Sequence, residues 1–184
     1  MDNDGLIPDA LRDAIKTTRA AGRKIKFLYL IPNYQNPTGV LLPANRRTEI
    51  LNICREEEIF VVEDNPYGLL GFDRPSPNAM RAEDSENVIY LGSFSKTIAS
   101  GLRVGWALVP PALKDKLVIA SESSVLCPSN FTQLTISNYL STEVAFARYV
   151  RASITQLKEM KLLIELEKNN NVASSKLNPQ SIYH

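Results

Sequence analysis

Apolar residues fall along this chain in two rhythms. Short apolar runs rich in β-branched and aromatic side chains occur at Phe27 to Pro32, Ile59 to Glu63, Val88 to Gly92 and Trp106 to Val109; each has the length of a strand, and those at Phe27 to Pro32 and Val88 to Gly92 are expected to be buried. Between them run stripes at three- to four-residue spacing. Pro8 to Ala20 carries Leu11, Ala14 and Ile15 on one face, with proline early and Gly22 just past the end, which predicts a short amphipathic helix. Pro43 to Glu58 predicts a second helix, with Ile50, Ile53 and Cys54 inward and Arg46, Arg47, Glu56 and Glu57 outward. Pro111 to Ser121 and Pro128 to Leu140 predict two more, and Glu143 to Lys168 a long one with Val150, Ile154, Leu157 and Ile164 on its stripe. Beyond it, 169–184 is a polar tract with too little apolar content to pack, expected to be a disordered tail. Alternating strand and helix signals give an α/β fold with a mainly parallel sheet and helices on both faces.

Polar clusters sit where the runs stop. In open α/β sheets ligands collect outside the carboxyl ends of the strands, so residues at those ends are candidates for chemistry. The first run ends in Asn33-Tyr34-Gln35-Asn36-Pro37-Thr38-Gly39, the second in Asp64-Asn65-Pro66-Tyr67-Gly68, and the third in Ser93-Phe94-Ser95-Lys96, followed by Arg103 between glycines. Taken singly, these residues read as turn formers, a helix cap, a solvated lysine and a salt-bridge arginine. Together, hydroxyls and a guanidinium suit phosphate oxygens, and an amine suits a carbonyl. That pair of groups describes pyridoxal phosphate.

Composition narrows the chemistry further. With 21 basic and 20 acidic residues among 184, the net charge is +1, and neither a basic face for nucleic acid nor a polybasic membrane segment stands out. No apolar run approaches the roughly 18 residues of a membrane span, and the acidic start lacks the pattern of a signal peptide, so the expectation is a cytoplasmic protein. The one histidine is His184, which removes Ser-His-Asp and Cys-His nucleophile schemes and any His-rich zinc site. Cys54 and Cys127 make no metal-spacing motif; Cys54 is expected in the core.

The stretch G-S-F-S-K-T-I-A-S-G-L-R-V-G-W (Gly92 to Trp106) closely resembles the cofactor-lysine segment of the class I/II aminotransferases, the fold-type-I pyridoxal-phosphate enzymes. P-N-Y-Q-N-P-T-G (Pro32 to Gly39) and the D-x-x-Y of Asp64 and Tyr67 resemble two further signatures of that family. The resemblance implies a three-layer α/β/α large domain over 1–142, in which the strand from Trp106 to Val109 runs antiparallel to its neighbours. It implies that Lys96 carries the cofactor as a Schiff base and serves as general base and acid, that Asp64 holds the ring nitrogen, and that Tyr67 and Asn36 reach the ring hydroxyl oxygen. Ser93, Ser95 and Arg103 would take the phosphate, and the Asn36–Pro37 peptide would be cis. Amino acid and 2-oxo acid substrates and a homodimer follow from the same resemblance, with the sequence most like the branch acting on 2-aminoadipate, kynurenine and aromatic or branched amino acids. Family members are considerably longer, with an aromatic ring-stacking residue before this region and a substrate-carboxylate arginine after it. The chain therefore looks truncated and is expected to be weak or inactive alone. A β-lyase, the aminotransferase-like domain of a winged-helix transcription regulator, and a non-catalytic remnant remain as alternatives.

Overall fold

The computed structural model describes residues 1–71 and 75–141. The helix expected over 143–168 and the tail expected over 169–184 lie outside the described residues. Helix α1 (Pro8–Ala20) leads into strand β1 (Phe27–Leu30), helix α2 (Ala44–Glu56), strand β2 (Phe60–Asp64), strand β3 (Val88–Ser93), strand β4 (Gly105–Leu108), and helices α3 (Pro111–Val125) and α4 (Asn130–Tyr139). Strand β1 stops short of the expected Pro32 because proline has no N–H for the ladder. The Pro32 carbonyl instead accepts from the Leu42 N–H at 2.8 Å, folding the following loop back.

The sheet order is β1-β2-β3-β4. Strands β1, β2 and β3 are parallel, with Phe27 opposite Phe60 and Val61 opposite Val88, while β4 returns antiparallel with Gly105 opposite Ser93. The α/β expectation therefore holds, including the antiparallel sense of the strand that carries Trp106. One face of the sheet carries the core: Leu11 and Ile15 of α1 and Ile50, Ile53 and Cys54 of α2 form one cluster with Val61 and Val88, against which Leu28 and Leu30 pack. Cys54 is buried as expected, and burial pushes its thiol up to about 11. Strand β1 is not buried as expected: its side chains alternate between the faces, and Phe27 and Tyr29 are exposed on the face opposite the core among the described residues.

Arg47 corrects the helix reading. Placed outward by the polar pattern of α2, it is fully buried. Its Nε donates to the Leu42 carbonyl at 2.9 Å, Nη1 to Asn78 O at 3.0 Å, and Nη2 to Pro32 O at 3.2 Å and Asn33 Oδ1 at 2.6 Å. Loops fold over the start of α2, and their carbonyls supply the acceptors that a buried guanidinium requires.

Candidate active site

Parallel pairing brings the ends of three strands to one edge of the sheet. Asp64 is the last residue of β2 and Ser93 the last of β3, while Asn36 lies in the loop after β1 and Tyr67 in the loop after β2. Because β4 is antiparallel, its first residue lies at this same edge, and the chain between Ser93 and Gly105 carries Ser95, Lys96 and Arg103. All seven expected residues thus belong to the carboxyl-end edge, where open α/β sheets bind ligands.

The local backbone explains how each is held. Phe94 N–H donates to Val104 O at 3.1 Å, which fastens the Lys96 loop at its base, and Ser95 N–H donates to Ser93 Oγ at 3.1 Å. Arg103 adopts the left-handed conformation (φ 53°), uncommon for a side chain with a Cβ and a mark of backbone held by its surroundings. Lys96, Arg103 and Asn36 are exposed, and Asp64, Tyr67, Ser93 and Ser95 half-buried. The Asn36–Pro37 peptide is cis, in line with expectation. Tyr34, beside it, is also left-handed (φ 50°). Among the described residues no hydrogen bond or ion pair joins Lys96 to Asp64, Tyr67 or Asn36; the direct link within the set is that between Ser93 and Ser95.

Beneath these residues lies a polar network that the sequence reading missed. Arg47 holds Asn33, whose Nδ2 donates to Asn65 Oδ1 at 3.0 Å, so one chain of contacts ties α2 to the loop bearing Asn36 and the loop bearing Tyr67. Gly68 is needed beside it, since a Cβ there would overlap the Asn65 side chain. The available signal was that Asn33 and Asn65 each follow directly on a strand run, inside quoted motifs. Next to the site, Trp106 lies over Gly92, where a Cβ would overlap the indole, and its ring centroid is 5.2 Å from that of Tyr90. A second missed residue is Tyr29, whose hydroxyl donates to Asp64 Oδ2 at 2.5 Å. That bond, helped by burial, pushes the Tyr29 phenol up to about 12.

Chemically, the edge offers an amine, a carboxylate, two serine hydroxyls, a guanidinium, a phenol and an amide. These suit a ligand with a carbonyl, a basic ring nitrogen, a phosphate and a phenolic oxygen, which is the donor set of pyridoxal phosphate.

Comparisons with known proteins agree. The profile of "Aminotransferase class I and II" matches residues 2–168. An aromatic-amino-acid aminotransferase of Thermococcus litoralis is 38% identical over 141 residues, covering 76% of this chain and 34% of the relative. An uncharacterized HTH-type transcriptional regulator of Bacillus subtilis is 36% identical over 117 residues, 63% of this chain and 24% of the relative. The α-aminoadipate aminotransferase of Thermus thermophilus, solved in complex with N-(5'-phosphopyridoxyl)-L-leucine, superposes with a TM-score of 0.79 at 32% identity, over 91% of this chain and 43% of that one. The chain spans about a third of the length of the aminotransferase it matches in sequence. A family profile that matches residues 2–168 of the 184 makes the chain a member of the class I and II aminotransferases.

Proposed function

We propose that this chain is the pyridoxal-phosphate-binding portion of an enzyme that transfers an amino group from an amino acid to a 2-oxo acid. The observation that carries the reading is the gathering of Asn36, Asp64, Tyr67, Ser93, Ser95, Lys96 and Arg103 onto the loops and strand ends of one sheet edge. When bound, the cofactor supplies an electron sink for the substrate carbon. Lys96 Nζ is the amine that anchors the cofactor and carries a proton to and from the substrate carbon. Asp64 presents a carboxylate to the ring N–H, a charge-assisted bond that keeps the nitrogen protonated. Ser93, Ser95 and Arg103 bind the phosphate, and Asn36 and Tyr67 donate to the ring oxygen. The names of the relatives favour an aromatic or 2-aminoadipate-like amino acid as donor. A homodimer belongs to the same proposal, supported by the family resemblance, and so does a cytoplasmic location, supported by the sequence pattern of the amino terminus alone.

Borohydride reduction of the chain with pyridoxal phosphate tests this, with the labelled peptide located by mass. Labelling confined to Lys96 and lost in Lys96→Ala is the expected outcome; labelling scattered over many lysines overturns the assignment. The likeness to the HTH-type regulator favours a second reading, an aminotransferase-like sensing domain. Under it, Lys96 is labelled but a panel of amino acids and 2-oxo acids yields no transferred amino group from the full-length protein.

A further inference from the structure

Tyr29 stands outside every motif that carries the family resemblance, on a strand whose neighbouring side chains are Leu28 and Leu30. Its partner across the pairing is Val62, so Asp64 lies two residues further along β2 on the same face of the sheet. From there the phenol reaches the carboxylate, donating to Oδ2 at 2.5 Å. The register between the two strands is already set by backbone pairing from Phe27 with Phe60 to Leu30 with Glu63. What this contact adds falls on the last residue of β2, at the edge of the ladder, where a lone carboxylate could otherwise turn about its own side-chain bonds. With Oδ2 committed to Tyr29, Oδ1 is the oxygen left to meet a ring N–H.

We infer that Tyr29 is a positioning residue for the cofactor site: its hydroxyl locks the Asp64 carboxylate in one orientation and so presents Oδ1 to the ring nitrogen. The inference rests on the proposed role of Asp64. A donor that keeps its own proton is required for this task, and the raised phenol remains protonated throughout the neutral range. Tyrosine also suits the place sterically, because a rigid ring spans the diagonal between the strands with two side-chain torsions to fix.

Two measurements on the full chain test it. The first needs no cofactor. In a sample carrying tyrosine labelled with 13C at Cζ, assigned through Tyr29→Phe, the Tyr29 signal should titrate at about 12 in the wild-type chain. In Asp64→Asn it should fall toward the ordinary value of about 10. A wild-type Tyr29 that titrates like an exposed tyrosine overturns the inference. The second uses pyridoxal phosphate labelled with 15N in the ring. Tyr29→Phe should bind it about tenfold more weakly, as loss of a hydrogen bond that orients a charged group implies. It should also move the ring-nitrogen signal toward the unprotonated position while Lys96 is still labelled at saturating cofactor. A tyrosine that merely braced two strands would lower the melting temperature and leave that signal at its wild-type position, and this result would overturn the inference. A wild-type chain that takes no label at Lys96 overturns the site reading and the inference with it, and the cofactor-free titration then shows whether the Tyr29–Asp64 bond itself stands.

Discussion

Arg47 carries a charge into a place where the sequence pattern sees only the outer side of a helix. Burial lowers the affinity of its guanidinium for the proton, and the carbonyls of Pro32, Leu42 and Asn78 with Asn33 Oδ1 compensate for lost water. The buried Glu63 is the opposite charge that acts on it most strongly; burial nonetheless pushes that carboxyl up, and among the described residues Glu63 Oε1 has no hydrogen-bond partner. Replacing Arg47 with Met keeps the volume but leaves several buried acceptors unpaired and Glu63 without its counter-charge. Such losses cost about 3–5 kcal/mol, so Arg47→Met should lower the urea midpoint sharply, and an unchanged midpoint would show that the acceptors are reached by water. The strand-end placement of the candidate residues was legible, because Asp64 and Ser93 close apolar runs and Asn36, Tyr67, Ser95, Lys96 and Arg103 lie in the polar stretches that follow those runs. Arg47, Asn33, Asn65 and Tyr29 were not assigned, because their roles depend on which loops fold over which side chains, and local periodicity holds no record of that.

At the level of elements, the pairing of β3 with β4 depends on a missing side chain. Trp106 lies across Gly92, so an added methyl at that position would meet the indole and one of the two must move. Overpacking of this kind costs about 1–3 kcal/mol. Gly92→Ala should therefore destabilise the chain by that amount, and, since Trp106 is the one tryptophan, shift its emission as the ring is displaced. Emission identical to wild type would mean that the strand, not the indole, yields. The strands and helices themselves were largely readable, with edges differing by a few residues where proline or a loop carbonyl ends the ladder. The antiparallel sense of β4 came from resemblance alone, since four apolar residues do not reveal their direction.

For the whole molecule, the notable asymmetry is between the sheet's faces. Parallel sheets are ordinarily covered on both sides. Here α1 and α2 cover one, whereas Phe27 and Tyr29 on the other are 54% and 51% exposed among the described residues. Exposed apolar surface of this kind binds hydrophobic dyes. The native chain should therefore enhance anilinonaphthalene sulfonate fluorescence at neutral pH, and Phe27→Lys should reduce the enhancement without lowering the melting temperature; a dye signal indifferent to the substitution would place the binding surface elsewhere. The pairing pattern also has a consequence in time. Strand β3 meets β4 across the short Lys96 loop, whereas β1 must find β2, and β2 must find β3, across much longer stretches of chain. Contacts close in sequence form fastest, because little chain entropy is lost in closing them. Of the three pairings, the one closed by the turn that bears Lys96 and Arg103 thus costs the least chain entropy to form.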